Sequence, residues 1–239
     1  MNSVTQEKSI DELLAELSAR RRYNLWQDCR MCLWQWHTHS FDIAKRLLDL
    51  AIGSAGFLVF LCVLPFAALL VKRSKGPVFY SQVRVKQNGQ FYRCYKFRSM
   101  MEGAEERQDE IMDHNGQEDR CRFHKKADDP RITKEGRFLR STSIDEFPQF
   151  WNVLRGDISI VGPRSPLPSE VKMYTPDGRK RLDVIGGLTC YWQTHGRSDV
   201  LFPEHLKFDK QYIKKASILQ DIELVGMTIP AVLSRKGAC

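Results

Sequence analysis

No regular cysteine framework, internal repeat or nucleic-acid-binding motif is found in this chain of 239 residues. Its seven cysteines (Cys29, Cys32, Cys62, Cys94, Cys121, Cys190 and Cys239) are odd in number and irregularly spaced. That argues against a disulfide-stapled secreted domain and for a reducing compartment. Cys29 and Cys32 stand near His37 and His39, but one Cys pair is half a zinc site. A His-x-His spacing also sends its two rings to different faces of a helix. Long apolar runs are scarce: there is one, residues 50–71, and it lacks the small-residue cleavage pattern of a signal peptide. Positive charge is in excess. The 37 basic and 29 acidic residues give a net charge of +8, which favours anionic partners. No row of stacking aromatics supports a nucleic acid in that role. Phosphorylated substrates and anionic lipid head groups remain.

The apolar run carries no charge over 22 residues, which at helical rise reaches roughly 33 Å, the depth of one hydrocarbon core. It can span, re-enter or form a buried core helix. Pro65 lies inside it, where a ring without an N–H disturbs a helix. Both flanks are basic, with Lys45 and Arg46 before it and Lys72, Arg73 and Lys75 after it. Basic flanks stay cytoplasmic, so matched signs favour a re-entrant hairpin broken at Pro65 over a kinked span. Asp49 at the approach needs a partner at that depth, and Arg46 is near in sequence.

Upstream, Leu13, Leu14 and Leu17 recur at helical spacing, followed by Trp26, Trp34 and Trp36. This pattern fits an interfacial helix or ordinary packing. Downstream, residues 78–80 and 91–97 read as strands joined at Asn88-Gly89, a β-hairpin. Residues 102–129 are charge-rich and read as a loop or solvated helix. Residues 158–161 form a short strand, Gly186-Gly187 a turn, and residues 206–233 an amphipathic helical stretch. Lys207, Lys210, Lys214 and Lys215 in that stretch suit anionic head groups.

The stretch Ser143-Ile144-Asp145-Glu146-Phe147 sets two carboxylates at the start of an apolar helical face made by Ile144, Phe147, Trp151 and Leu154. Ser143 and Glu146 have capping-box spacing, so capping is the plain reading. The surroundings point further. Arg131, Arg137 and Arg140 precede the pair, Lys96 and Arg98 end the hairpin, and Arg164 follows a strand and a Gly-Pro turn. Guanidinium forks match phosphate oxygens. Carboxylates beside phosphate imply a divalent metal, usually magnesium. One carboxylate can then attack phosphorus while the other helps hold the metal.

These residues resemble the bacterial sugar transferases, the monotopic polyprenyl-phosphate phosphoglycosyl transferases. The likeness runs from about Phe41 to Cys239 through ordered motifs: Lys45-Arg46-Leu47-Leu48-Asp49, Gly76-Pro77-Val78-Phe79-Tyr80, Tyr95-Lys96-Phe97-Arg98-Ser99-Met100, Arg140-Ser141-Thr142-Ser143-Ile144-Asp145-Glu146 and Val161-Gly162-Pro163-Arg164. Phe208-Asp209-x-x-Tyr212 and Ser217-x-x-x-Asp221 resemble the closing segment. The resemblance implies an α+β, mainly helical fold. Residues 1–40 would form an interfacial extension, 41–75 a re-entrant membrane helix-break-helix, and 76–239 a small cytoplasmic catalytic domain with a β-hairpin and interfacial amphipathic helices. It implies transfer of a sugar 1-phosphate from a nucleotide diphosphate sugar, a UDP-sugar, to polyprenyl (undecaprenyl) phosphate. This would be the first membrane step of polysaccharide or glycoconjugate assembly, on the cytoplasmic face of the bacterial inner membrane. Asp145 would be the nucleophile and Glu146 would help bind Mg²⁺. Lys96, Arg98, Arg140, Arg164, Gln193 and Arg197 would meet substrate. A homodimer stays open, and a non-enzymatic membrane scaffold of the same fold is the alternative. There are departures. Leu64-Pro65 stands where the family has Ser-Pro, which bears on the geometry of the break. Gly186-Gly187-Leu188-Thr189-Cys190 stands where it has Pro-Gly-Ile-Thr-Gly, and Tyr191-Trp192-Gln193-Thr194-His195-Gly196-Arg197 where it has a Trp-x-Gln-x-x-Gly-Arg region. These two bear on sugar or base contacts and not on the dyad.

Overall fold

The computed structural model describes residues 10–104, 129–194 and 202–234, with side chains from Ser40 onward apart from positions 192, 202–204 and 233. The expected interfacial tryptophans, the Cys29/Cys32 pair and Arg197 therefore lie outside the described side chains, as does most of the charge-rich stretch. The chain divides into two compact units, Met1–Lys45 and Arg46–Cys239. The first holds the opening of helix α1, Ile10–Val71.

Within α1, Ser40–Val71 is the one stretch among the described residues long and apolar enough to cross a membrane, and only 17% of its apolar 18-residue window is buried. A core helix of a soluble domain would be covered on most sides. From Arg46 onward α1 has two apolar faces. Leu47, Leu58, Val59, Leu61, Phe66 and Leu69 are exposed. Phe60, Ala67 and Val71 are buried against Phe97 and Leu139, with Phe57, Val63, Leu64, Ile144 and Phe147 packed around them.

The helix continues through Pro65 to Val71, so the expected break is not an interruption of the helical backbone; a bend at a proline is compatible with that. Leu64 and Ala67, on either side of the proline, are seated in the same core. One missing backbone hydrogen bond does not unseat a helix held on both sides. The expected Arg46–Asp49 pairing is also corrected. Arg46 donates to the carbonyls of Val153 (2.7 Å) and Leu154 (2.7 Å). Asp49 accepts from Ser159 Oγ (2.8 Å) and the Ile160 amide (2.8 Å). Both residues thus fasten the helix to the domain; the carbonyls that Arg46 relieves belong to a helix end, where orphan acceptors favour a cation.

The hairpin is seen as expected. Strands β1, Phe79–Val85, and β2, Phe91–Phe97, pair antiparallel from Phe79↔Phe97 to Val85↔Phe91. Asn88 and Gly89 take positive φ (58° and 74°) in the turn, as this dipeptide tolerates. Helix α2, Lys134–Ser141, is capped by Thr133, whose Oγ1 accepts from the Gly136 amide at 2.9 Å. Helix α3, Gln149–Arg155, stops at Gly156, with φ 77°.

Strand β3, Ser159–Val161, pairs parallel with β4, Gly187–Thr189. Gly187, read from sequence as part of a turn, therefore opens a strand. A Cβ there would stand 2.1 Å from the Gly162 amide nitrogen, so the glycine serves close backbone approach. Short helices α4 (Pro168–Lys172), α5 (Pro176–Arg179) and α6 (Tyr191–Thr194) follow in order around β4. The terminal amphipathic stretch is two helices, α7 (Phe202–Lys215) and α8 (Ile218–Leu233). Ser217 caps the second, accepting from the Gln220 amide. Tyr92, Cys94, Val153, Ile158, Ile160, Val161, Tyr212 and Leu224 form the main core. The fold is thus mainly helical with two small sheets.

Candidate active site

The carboxylate pair lies in a tight turn between α2 and α3. Ile144–Glu146 is a single 3-10 turn, closed by Glu146 N–H to Ser143 O (3.2 Å) and Phe147 N–H to Ile144 O (3.1 Å). The capping box expected from Ser143 and Glu146 is not formed: Ser143 is left-handed (φ 57°) and its side chain caps nothing. Pro148 then leads into α3. This geometry buries Asp145, 5% exposed, and leaves Glu146 half-buried beside it.

Asn152 fixes the turn against β2. It is fully buried; its Oδ1 accepts from the Tyr95 amide (3.1 Å), and its Nδ2 donates to the Arg93 carbonyl (2.8 Å) and Asp157 Oδ2 (3.0 Å). One residue further along β2, Lys96 Nζ lies 2.6 Å from Glu146 Oε1. The pair is partly covered on both sides, so it is less screened than a surface ion pair.

Helix α2 closes the other side. Its Gly136 rests on the Ser99 carbonyl, where a Cβ would lie 1.9 Å from the oxygen. That contact brings Arg140 to Ser99, with Nε donating to Oγ at 2.8 Å. Its Nη1 is covered and has no hydrogen-bond partner. Burial pulls the Arg140 guanidinium below the ordinary arginine range, while Asp145, Asp129 and Glu146 act to restore it. Arg131 is occupied by Asp129, at 2.7 Å, and by the Ala104 carbonyl. Arg164 is half-buried at the end of β3. Burial and the nearby Arg84 lower it, and Glu170 and Glu146 oppose them.

Glu146 is therefore within electrostatic reach of Lys96, Arg140 and Arg164, and Asp145 of Arg140. Arg98 is turned elsewhere. Its Nε donates to Pro77 O (2.6 Å), and its Nη2 to Ser74 O (2.9 Å), Ser74 Oγ (3.0 Å) and Val71 O (3.2 Å). It closes the C-terminal end of α1. Gln193 accepts from the Cys190 amide through Oε1 at 3.1 Å, within its own turn. Asn152 and Ser99 were missed as site-building residues, as was the buried Arg84. An uncharged polar residue beside Trp151 and Val153 was the available signal for Asn152.

The chain matches the profile of the bacterial sugar transferases over residues 40–235. It belongs to the bacterial sugar transferase family. Galactosyl transferase CpsE of Streptococcus agalactiae is 42% identical over 205 residues, covering 85% of this chain and 45% of that protein. The exopolysaccharide production protein ExoY of Rhizobium meliloti is 38% identical over 199 residues, covering 82% and 88%. The undecaprenyl-phosphate galactose phosphotransferase of Salmonella typhimurium is 37% identical over 201 residues, covering 83% and 41%. This sugar transferase thus spans less than half of the CpsE and Salmonella relatives and most of ExoY. The matched residues include every member of the charged cluster.

Proposed function

We propose that this sugar transferase moves a sugar 1-phosphate from a UDP-sugar to polyprenyl phosphate through a covalent aspartyl intermediate. The observation that carries the reading is a buried carboxylate, Asp145, set beside Glu146 among Lys96, Arg140 and Arg164. A carboxylate oxygen of Asp145 attacks the phosphorus bearing the sugar. The bond to the nucleoside monophosphate breaks, and that group leaves with the bridging oxygen. An oxygen of the lipid phosphate then attacks the same phosphorus, and the bond to Asp145 breaks, restoring the carboxylate. Arg140 and Arg164 face the phosphate oxygens, and Lys96 holds Glu146 in place.

Among the described residues no group of three or more His, Cys, Asp or Glu converges on a metal. Mg²⁺ needs only one or two carboxylates when phosphates and waters supply the rest, and Asp145 with Glu146 fits that requirement. Glu146 would hold it together with the diphosphate. When bound it neutralises charge on the phosphate oxygens.

The membrane arrangement we infer is monotopic, with both ends of the apolar stretch on the cytoplasmic side. In support, Arg46 and Asp49 near its start bond to residues 153–160, while Val71 at its end accepts from Arg98 of the same unit. A straight helix would set Arg46 and Val71 roughly 38 Å apart, more than the depth of the hydrocarbon core. Re-entry therefore requires α1 to bend at Pro65, and the attachment of both ends to one unit is what favours that bend. Cysteines introduced at Asp42 and Lys75 are expected to label from one side; opposite-side labelling would refute re-entry.

The test of the chemistry is Asp145→Asn. Nucleoside monophosphate release should vanish, and wild-type protein quenched without lipid should carry a phosphosugar adduct on Asp145. Undiminished turnover in the variant would remove Asp145 as the nucleophile.

A further inference from the structure

Four successive carbonyls around Arg164 are each bound by a different donor. Pro163 O accepts from the Gly187 amide (2.9 Å) and Pro166 O from the Val85 amide (2.9 Å). Between them, Arg164 O accepts from Arg181 Nη2 at 2.9 Å, and Ser165 O accepts from Arg84 Nη1. The two central donors are buried guanidiniums, unusual groups to use on neutral acceptors when a backbone amide would serve. Arg181 is itself held. Its Nη2 is 2.7 Å from Asp209 Oδ2 of α7, with both side chains almost fully covered. Its Nη1 donates to Tyr174 Oη at 2.8 Å, and its guanidinium lies over the Tyr174 ring at 5.4 Å.

We propose that Arg181, locked by Asp209, is a positioning residue that sets the place of the Arg164 guanidinium, with Arg84 bracing the next peptide. The inference rests on the reading of Arg164 as a phosphate-facing group. A side chain can be aimed no better than the backbone that carries it, and a displacement of about 1 Å costs a large factor in rate. The segment 163–166 has no helix or long strand to stiffen it. β3 ends at Val161, and among the described residues one isolated bridge, Arg164 to Gly187, continues its pairing past Gly162. The guanidiniums supply that stiffness. Arg181 touches three groups from three directions, which an ammonium cannot reproduce.

The test is a double-mutant cycle on the full chain, reading kcat/KM for the donor by nucleoside monophosphate release. Arg181→Lys should lower it about tenfold or more in the otherwise native protein. In an Arg164→Met background it should change the residual rate less than about twofold, because a residue acting through Arg164 is silent once Arg164 is gone. Equal losses in both backgrounds would overturn the proposal in favour of a general structural role. Arg181→Met/Asp209→Leu replaces the buried pair with apolar groups, a change that folds tolerate. It still leaves the Arg164 carbonyl without its donor, and should repeat the same non-additivity if Arg181→Lys does not fold. Hydrogen exchange needs no turnover. In Arg181→Lys the Gly187 amide should exchange faster while the β2 amides do not; unchanged protection at Gly187 would equally overturn the clamp. Absence of turnover by wild-type protein on every donor would count against the proposed function, and the exchange result would still decide the clamp.

Discussion

Asn152 offers the sharpest test of how the site is built. Its amide satisfies two backbone groups of β2 and one oxygen of Asp157, with no exposure to water. Asn152→Leu keeps the volume and removes all three bonds. The Tyr95 N–H and Arg93 C=O are then left buried without partners, at about 1–3 kcal/mol each. The variant should therefore lose about 2–6 kcal/mol, a large share of a typical stability of about 5–15 kcal/mol. In a domain of this size that corresponds to a fall of roughly 4–24 °C in Tm. Asn152→Asp is the more telling companion. It retains the acceptor for Tyr95 but turns an oxygen towards the Arg93 carbonyl and the Asp157 carboxylate, so it should be at least as damaging as leucine. Thermal unfolding in detergent, followed by tryptophan fluorescence, would measure both. Activity should fall with stability, because β2 carries Lys96 and α3 follows the carboxylate turn. If Asn152→Asp unfolds within about 2 °C of wild type, the assignment of its two amide atoms is wrong and the argument for a fixed turn fails with it.

Arg98→Lys should lower stability by about 2–4 kcal/mol, since an ammonium replaces only some of its carbonyl contacts. KM for the donor should stay within about twofold of wild type; a selective rise in KM with unchanged Tm would return Arg98 to the phosphate site. Asp209 gives a pH signature. Burial pushes it up to about 6 from 3.8, with Arg181 pulling the other way. The folded state therefore binds the proton more tightly than the unfolded one. The resulting stability, at most about 3 kcal/mol, is complete below about pH 4 and is lost as pH rises through about 6. The Tm of wild type relative to Asp209→Asn should accordingly decline from pH 4 to pH 7, and a difference that rises or stays flat would contradict it.

The hairpin was legible because Asn88-Gly89 and its flanking strands act locally. The carboxylate pair and Arg164 were legible because motifs keep their order along the chain. What could not be read was set by contacts far apart in sequence. Arg98 looked like a phosphate ligand because its spacing from Lys96 says nothing of the end of α1, 27 residues earlier, where its guanidinium is bound. Gly187 looked like punctuation because the need for glycine comes from Gly162 across a parallel strand pair. Ser143 looked like a cap because the motif does not record a left-handed backbone. That Pro65 would leave the helix uninterrupted could not be read, because its neighbours' seat against Phe97 and Leu139 is a tertiary matter.

The inner face of α1 is shared property. Phe60, Ala67 and Val71 supply one wall of the pocket of hydrocarbon that Phe97, Leu139, Ile144 and Phe147 complete. Trimming the polypeptide after Val71 to obtain a water-soluble fragment would strip that wall and wet the side chains flanking Asp145. Anchor and catalyst are thus one folding unit, and detergent or nanodisc preparation of the uncut polypeptide is the form in which its chemistry should be measured.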